Sequence, residues 1–347
     1  VSDWAEPGAH PVAPGVHRVP LPLPGDGLRA VNVYLLDTAD GIVMVDGGWA
    51  LPAARLRLER AMASIRHDLG EIRRILVTHV HRDHYTQAVE LRRLFGARVA
   101  LGAGERHGLE MLNRIRSNIP VSSLDALRRN GADDLAERVA RTLDDFDATI
   151  WGAPDEWLSA GELAVGDRTL RVIPTPGHTE GHVVFLDESE RLLFAGDHVL
   201  PHITPSIGFE LGEPGSPLAD YLRSLRLMTT FADARLLPAH GPVADSTHAR
   251  VADLLAHHDT RLAEAAEALG EQVLDAHAVA RRLTWTRRRI GFADLDDFNR
   301  MLAVNETAAH LRVLVGTGRA TVVTADGAST CVRRAASSPS RSTVPST

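Results

Sequence analysis

Four side chains able to bind a metal, His79, His81, Asp83 and His84, stand within the seven-residue stretch Thr78-His79-Val80-His81-Arg82-Asp83-His84. Three further candidates lie downstream: His178 after Thr175-Pro176-Gly177, Asp197 after Ala195-Gly196, and His240 after Pro238-Ala239. Neutral imidazoles and carboxylates are the ligands of hydrolytic zinc sites, which keep one position open for water. Two metals about 3.5–4 Å apart can share one hydroxide and stabilise both the attacking and the leaving atom. The seven residues supply enough ligands for such a pair.

These side chains need elements that aim them at one point. Ile75-Leu76-Val77 is an apolar run that reads as a buried strand leading into the cluster, with the strand taken as Arg74 to Val77. Behind the cluster, Ala88, Leu91, Leu94 and Phe95 recur at helical spacing, so Tyr85 to Phe95 reads as a helix closed by Gly96. Earlier strands are expected at Val31 to Leu36 and Ile42 to Val45, the latter ending at Asp46-Gly47-Gly48. Pro52 to His67 reads as an amphipathic helix opened by proline. Later strands are expected at Leu170 to Ile173, His182 to Leu186, Arg191 to Ala195 and Leu236-Leu237. The downstream ligand candidates therefore sit just past strand ends, as in an α/β layered domain.

The remaining sequence bounds the chemistry. The chain has 347 residues, 44 % of them hydrophobic, ordinary for a globular protein with a sizeable core. No apolar run approaches the roughly 18 residues of a membrane helix. Val1 to Gly27 is interrupted by six prolines and holds no signal-peptide core, so cytoplasmic residence is the expectation. Cys331 is the single cysteine, which excludes an internal disulfide and a multi-thiolate zinc site within one chain. All 38 basic residues are arginine, so neither a lysine Schiff base nor a Walker-type phosphate loop can form. The net charge is −7, but from Arg250 onward 13 arginines face 11 acids. The acidic body argues against a broad nucleic-acid surface there.

Residues 1–245 are read as the catalytic unit, with a helical insertion at 105–150 that, with the 199–217 loop, would line a cleft. Helices are expected at 249–269, 275–283 and 295–316, and a hairpin at Arg319 to Thr324 and Ser329 to Arg333 around a turn at Asp326-Gly327. Three helices and a hairpin fit a winged-helix domain over 246–334. The Ser, Pro and Thr-rich tail at 335–347 is expected to be disordered.

Five segments in one order resemble the metallo-β-lactamase superfamily: Val43-Met44-Val45-Asp46-Gly47, Thr78 to His84, Thr175 to His182, Ala195-Gly196-Asp197-His198 and Pro238-Ala239-His240-Gly241. The resemblance implies an α/β αββα sandwich with its site where the two sheets meet. It also implies that His79, His81 and His178 hold one divalent ion, that Asp83, His84 and His240 hold another, and that Asp197 bridges them. Asp83 and Asp197 are then the catalytic carboxylates. Asp46 would orient the ligand turn without touching metal, with Thr179 and His182 in outer contacts. Zinc is the expected ion, with iron and manganese compatible with the same ligands.

A bridging aspartate at 197 resembles glyoxalase II, lactonases, phosphodiesterases and RNase Z-type nucleases more than antibiotic hydrolases. Together with a C-terminal winged helix, it resembles the beta-lactamase-like protein 2 group. That module is carried by Asn305 to Leu311 and by Gly318-Arg319-Ala320. Tyr85 replaces a small residue of the family pattern and is expected to narrow the pocket or contact substrate. The resulting expectation is a dinuclear hydrolase of a small acyl substrate: a thioester, ester or lactone. A metal-dependent endoribonuclease is the alternative, since Arg281, Arg282, Arg287, Arg288 and Arg289 surround Trp285 and could hold RNA. A mononuclear-iron persulfide dioxygenase is the third reading. The winged helix would otherwise serve packing or homodimer formation.

Overall fold

The strands expected to end at ligand positions do form, and they divide between two sheets. The computed structural model describes residues 3–25, 28–113, 121–141, 147–208, 215–286, 288–325 and 328–333. Arg287, the Asp326-Gly327 turn and the 335–347 tail lie outside them. The first sheet runs in sequence order through β1 (His10–Ala13), β2 (Val16–Pro22), β3 (Ala30–Thr38), β4 (Gly41–Val45), β5 (Ile72–Val77), β6 (Arg98–Gly102) and β7 (Glu156–Leu158). The second contains β8 (Gly161–Val165), β9 (Arg168–Pro174), β10 (Val183–Asp187), β11 (Leu192–Gly196) and β12 (Arg235–Pro238), in the order β12-β11-β10-β9-β8. From β4 to β7 the first sheet is parallel, and β11 and β12 form a parallel pair in the second.

Parallel strands need crossovers, and two helices supply the first two on the first sheet's outer face. They are α1 (Pro52–Ser64) and α2 (Arg82–Phe95). Leu58 and Met62 of α1, and Ala88 and Leu91 of α2, bury against Leu35, Met44 and Ile75. Between the sheets lies a second apolar layer, with Leu36, Val45 and Leu76 facing Val172, Phe185 and Phe194. Beyond the second sheet, α6 (Pro217–Met228), α7 (Thr247–Leu269) and α9 (Asp297–Gly316) complete an αββα arrangement. The 105–150 stretch contributes α3 (Arg106–Leu112), α4 (Val121–Arg129) and α5 (Asp133–Ala140). Leu109 and Leu112 of α3 join the first sheet's outer core, whereas Leu127, Leu135 and Val139 join the core of α7 and α9.

The C-terminal part holds α7, α8 (Ala276–Ala280), α9 and a hairpin of β15 (Ala320–Ala325) and β16 (Ala328–Arg333). A two-residue ladder, β13 (Thr284–Trp285) with β14 (Ile290–Gly291), precedes α9. These elements share one apolar core with the outer face of the second sheet. Among the described residues no helix is long and apolar enough to cross a membrane.

Strands β1, β2, β6, β7 and β8 add to those expected, and helix α2 starts earlier than expected. The proline-broken N-terminus supplies β1 and β2, because β1 pairs only with Val16 to Arg18. Pro20 and Pro22 lie past its end, on a stretch whose far side has no ladder to feed. Helix α2 begins at Arg82, not Tyr85, because the His81 carbonyl already accepts from the amides of His84 and Tyr85. Asp83 and His84 therefore lie on the helix's first turn, where the helix dipole favours a carboxylate.

Candidate metal centre

The turn after β5, the first turn of α2 and the loops after β9, β11 and β12 bring the seven ligand candidates together. His79, His81 and His178 offer ligand atoms within 4.8 Å of one another, as do Asp83, His84 and His240. A third group, His79, His84 and Asp197, links the two sets. Asp197 faces both ways: its Oδ2 lies 3.3 Å from His178 Nε2, and its Oδ1 lies 3.6 Å from His84 Nε2 and 3.4 Å from His240 Nε2. Asp83 Oδ2 stands 3.4 Å from His240 Nε2.

The hydrogen bonds decide which ring nitrogen each histidine presents. His178 Nδ1 lies 2.8 Å from the Ser206 carbonyl and His240 Nδ1 lies 2.9 Å from the Ala30 carbonyl, so each Nδ1 carries the proton. Asp46, 2 % exposed, accepts from the Thr78 amide and hydroxyl, and its Oδ2 lies 3.0 Å from His84 Nδ1. With its own proton given to Asp46, Thr78 Oγ1 accepts from His79 Nδ1 at 3.1 Å. All four rings thus turn Nε2 inward, the nitrogen left to meet a cation. The Nε2 atoms of His84, His178 and His240, and Asp197 Oδ1, are buried without a hydrogen-bond partner among the described residues. Orphaned lone pairs converging on one region are costly unless a cation satisfies them, so the residues fit divalent metal.

Charge points the same way. Burial and the neighbouring imidazoles hold His79 far below its ordinary value, and burial with His178 pushes His81 down to about 3. Burial would lower His84 too, but Asp83, Asp46 and Asp197 outweigh it and raise His84 to about 10. For His240, Asp197 and Asp83 outweigh burial and raise it to about 9. Burial likewise opposes ionisation of Asp197, yet His240, His84 and His178 hold it well below the carboxylate range. The pocket thus favours positive charge beside its carboxylates, the role a metal fills.

The outer residues have defined tasks. The Asp197 amide donates to His182 Nε2 at 3.2 Å, which leaves His182 Nδ1 to donate to Thr175 Oγ1 at 2.8 Å. Gly196 has φ +50°, and a Cβ there would lie 2.8 Å from His182 Nε2 and 2.6 Å from Thr78 Oγ1. Thr179 Oγ1 donates to Glu105 at 2.5 Å. Tyr85, expected at the pocket, is corrected by the structure. It is fully buried, its ring stacks on Trp151, and its hydroxyl donates to the Gly152 carbonyl at 2.6 Å. As the residue after His84 on α2, it falls on the face packed against the core and offers substrate no surface.

Of the residues proposed to hold RNA, Trp285, Arg282 and Arg289 have partners within the fold, while Arg281 and Arg288 are exposed. Trp285 is 7 % exposed, donates to the Ala280 carbonyl and lies beneath the Arg261 guanidinium. Arg282 donates to Ala268 and Gln272, and Arg289 pairs with Glu264. Conversely, Glu105 and Asn32 escaped the sequence reading. Glu105 follows Gly102 and Gly104, whose small size allows Gly181 to approach: a Cβ at either would lie within 2.7 Å of Gly181 backbone. Burial pushes the Glu105 carboxyl up to about 7, against the bonds from Thr179 and Val80. Asn32 is the polar interruption of an apolar strand, and that was its one signal.

This architecture is shared. The Metallo-beta-lactamase superfamily profile matches residues 26–240. The chain belongs to that superfamily. It is 28 % identical over 236 residues to the lactamase-like protein nscB of Aspergillus fumigatus, a match covering 68 % of this chain and 55 % of that one. The chain thus spans about half the length of that relative. It is 28 % identical over 244 residues to the beta-lactamase-like protein 2 homolog of Caenorhabditis elegans, covering 70 % and 67 %. Among solved structures, a metallo-beta-lactamase family protein from Thermus thermophilus superposes with a TM-score of 0.77 at 27 % identity, over 93 % of this chain and 100 % of that one. A beta-lactamase domain protein from Burkholderia ambifaria gives 0.75 at 30 % identity, over 94 % and 93 %. Both likenesses extend past residue 240 into the C-terminal helices. The fold and the clustered His and Asp side chains imply divalent-metal binding, and members of the superfamily are in general metal-dependent hydrolases.

Proposed function

We propose that this protein is a dinuclear metal-dependent hydrolase, with zinc as its ions, acting on a small acyl substrate such as a thioester, ester or lactone. The observation that carries this reading is Asp197, whose two carboxylate oxygens face separate groups of inward-turned imidazole nitrogens. Two divalent ions bound there would supply an activated water and polarise a carbonyl. The chain's own residues do the rest. Asp197 is anchored through its amide by His182 and is placed to accept a proton from the attacking water. Asp46 holds His84 in one tautomer, and the Ser206 and Ala30 carbonyls do the same for His178 and His240.

The second group, Asp83 with His84 and His240, supports this reading over a mononuclear-iron dioxygenase, which needs only one set. The burial of Trp285 supports an acyl substrate over RNA, since it leaves little of the ring for stacking. The test is elemental analysis of the purified protein beside a panel of thioesters, esters, lactones and a phosphodiester reporter. Near two zinc ions per chain and acyl turnover abolished by chelation are expected, with Asp197→Ala at least about 100-fold slower. A metal-replete protein inert to every acyl compound, or active only on the phosphodiester, would sink the proposal.

A further inference from the structure

Two buried polar side chains outside the ligand set each grip one half of the centre. Glu105, 2 % exposed at the end of the short turn after β6, has no cationic side chain bonded to it among the described residues. Its Oε1 accepts from the Thr179 hydroxyl at 2.5 Å and from the Val80 amide at 3.3 Å. Val80 lies between His79 and His81, and Thr179 follows His178. One carboxyl oxygen therefore ties together the two loops that carry the first imidazole group. Gly181 seals the joint, since a Cβ there would meet the Glu105 amide nitrogen at 2.0 Å.

Asn32, fully buried on β3, does the corresponding work for the other half. Its Nδ2 donates to the Pro238 carbonyl at 3.0 Å and to the Gly241 carbonyl at 2.8 Å, the residues bracketing Ala239 and His240. Its Oδ1 accepts from Arg18 at 2.8 Å. A guanidinium can only donate, so Arg18 dictates which end of the amide faces the loop. Both donors and the acceptor of the Asn32 side chain are used. The Asn32 amide adds a bond to the Ala239 carbonyl, and Tyr34 donates to Pro238. The two clamps share no residue, one arising from the turn after β6 and the other from β3.

We infer that Glu105 and Asn32 are positioning residues for separate metal subsites: Glu105 for the His79, His81 and His178 subsite, and Asn32, backed by Arg18, for the His240 side of the second. Losing one clamp should empty one subsite and leave the other filled. Asp197 faces both groups, and Asp46 bonds His84 directly and reaches His79 through Thr78, so the loss of either should weaken both. This inference rests on the dinuclear reading.

The test uses the full chain loaded with Co2+, with metal content by elemental analysis and exchangeable imidazole N–H resonances by paramagnetic proton NMR. Each ligating imidazole keeps one N–H, so the first subsite contributes three such signals and the second, through His84 and His240, contributes two. Glu105→Leu is expected to weaken the first subsite about 10–100-fold and remove its three signals. Glu105→Gln keeps an acceptor oxygen and should restore them. Asn32→Leu should weaken the second subsite by a similar factor and remove the other two. Thr179→Val and Arg18→Leu, which keep Glu105 and Asn32 and remove one partner of each, should act in the same directions more weakly and cover the case in which a leucine variant does not fold. Two ions and five signals in each of Glu105→Leu, Asn32→Leu, Thr179→Val and Arg18→Leu would overturn the inference while leaving the dinuclear reading intact. So would simultaneous loss of both subsites from the milder pair. A wild-type protein holding a single ion would overturn the dinuclear reading, and this inference with it.

Discussion

At the scale of single residues, the centre depends less on how many histidines the chain has than on which nitrogen each one turns inward. A histidine whose Nδ1 is committed to a carbonyl or carboxylate has one outcome for Nε2, and the surrounding burial removes water as a substitute partner. Thr78 shows how short the chain of cause can be: its single proton goes to Asp46, so its oxygen must accept from His79. Tyr85 is the counterexample, a polar side chain beside a ligand with no part in the centre. Tyr85→Phe should cost about 1 kcal/mol of stability, because it strands the Gly152 carbonyl. It should leave metal content unchanged and kcat/KM within about twofold. Urea unfolding beside acyl-substrate kinetics checks this, and a large rise in KM at unchanged stability would return Tyr85 to the substrate pocket.

At the scale of elements, legibility followed locality. Strands β4, β5, β10 and β11 could be read because each is an apolar run ending in a Gly, Asp or Thr-His signal. Strand β8, with mostly exposed residues, has no such pattern and went unread. Asn32 and Glu105 were opaque for another reason: their partners lie 206 and 74 residues away in sequence, and no local spacing encodes that meeting. The β10–β11 turn is held by a shorter-range device. Asp187 accepts from Ser189, the Glu190 amide and Arg168. Burial raises its pKa, yet those bonds outweigh it and hold the carboxyl below its ordinary value. A carboxyl depressed in the folded state stabilises above the unfolded value of about 3.9, and that contribution fades as pH falls through the folded one. Asp187→Asn should therefore be less stable than wild type by about 2 kcal/mol at pH 6, with the gap narrowing below pH ~4. Equilibrium unfolding at several pH values measures it, and a gap independent of pH would assign the effect to shape and not to charge.

At the scale of the whole molecule, the helices past residue 246 are bound into the body that carries the centre. Leu254, Leu262, Met301 and Leu311 share one core with Leu193, Leu225 and Leu236 of the second sheet and α6. Arg250 of α7 donates to the Leu200 and Ile203 carbonyls, and a Cβ at Gly208 would stand 2.9 Å from the Asn305 carbonyl of α9. The 199–208 segment so held is the one whose Ser206 carbonyl sets the His178 tautomer. The C-terminal helices thus support the candidate metal centre, and among the described residues they supply none of its seven ligand candidates. Each large apolar side chain uncovered costs about 1.5–3 kcal/mol, so exposing several would exceed the roughly 5–15 kcal/mol that keeps a domain folded. A chain cut after Asp245 should consequently lose cooperative unfolding, bind a hydrophobic dye and hold fewer than two metal ions. Thermal unfolding, dye fluorescence and elemental analysis of the truncated protein read these outcomes. A sharp transition with full metal content would show instead that residues 1–245 stand alone and that the C-terminal helices serve a different purpose.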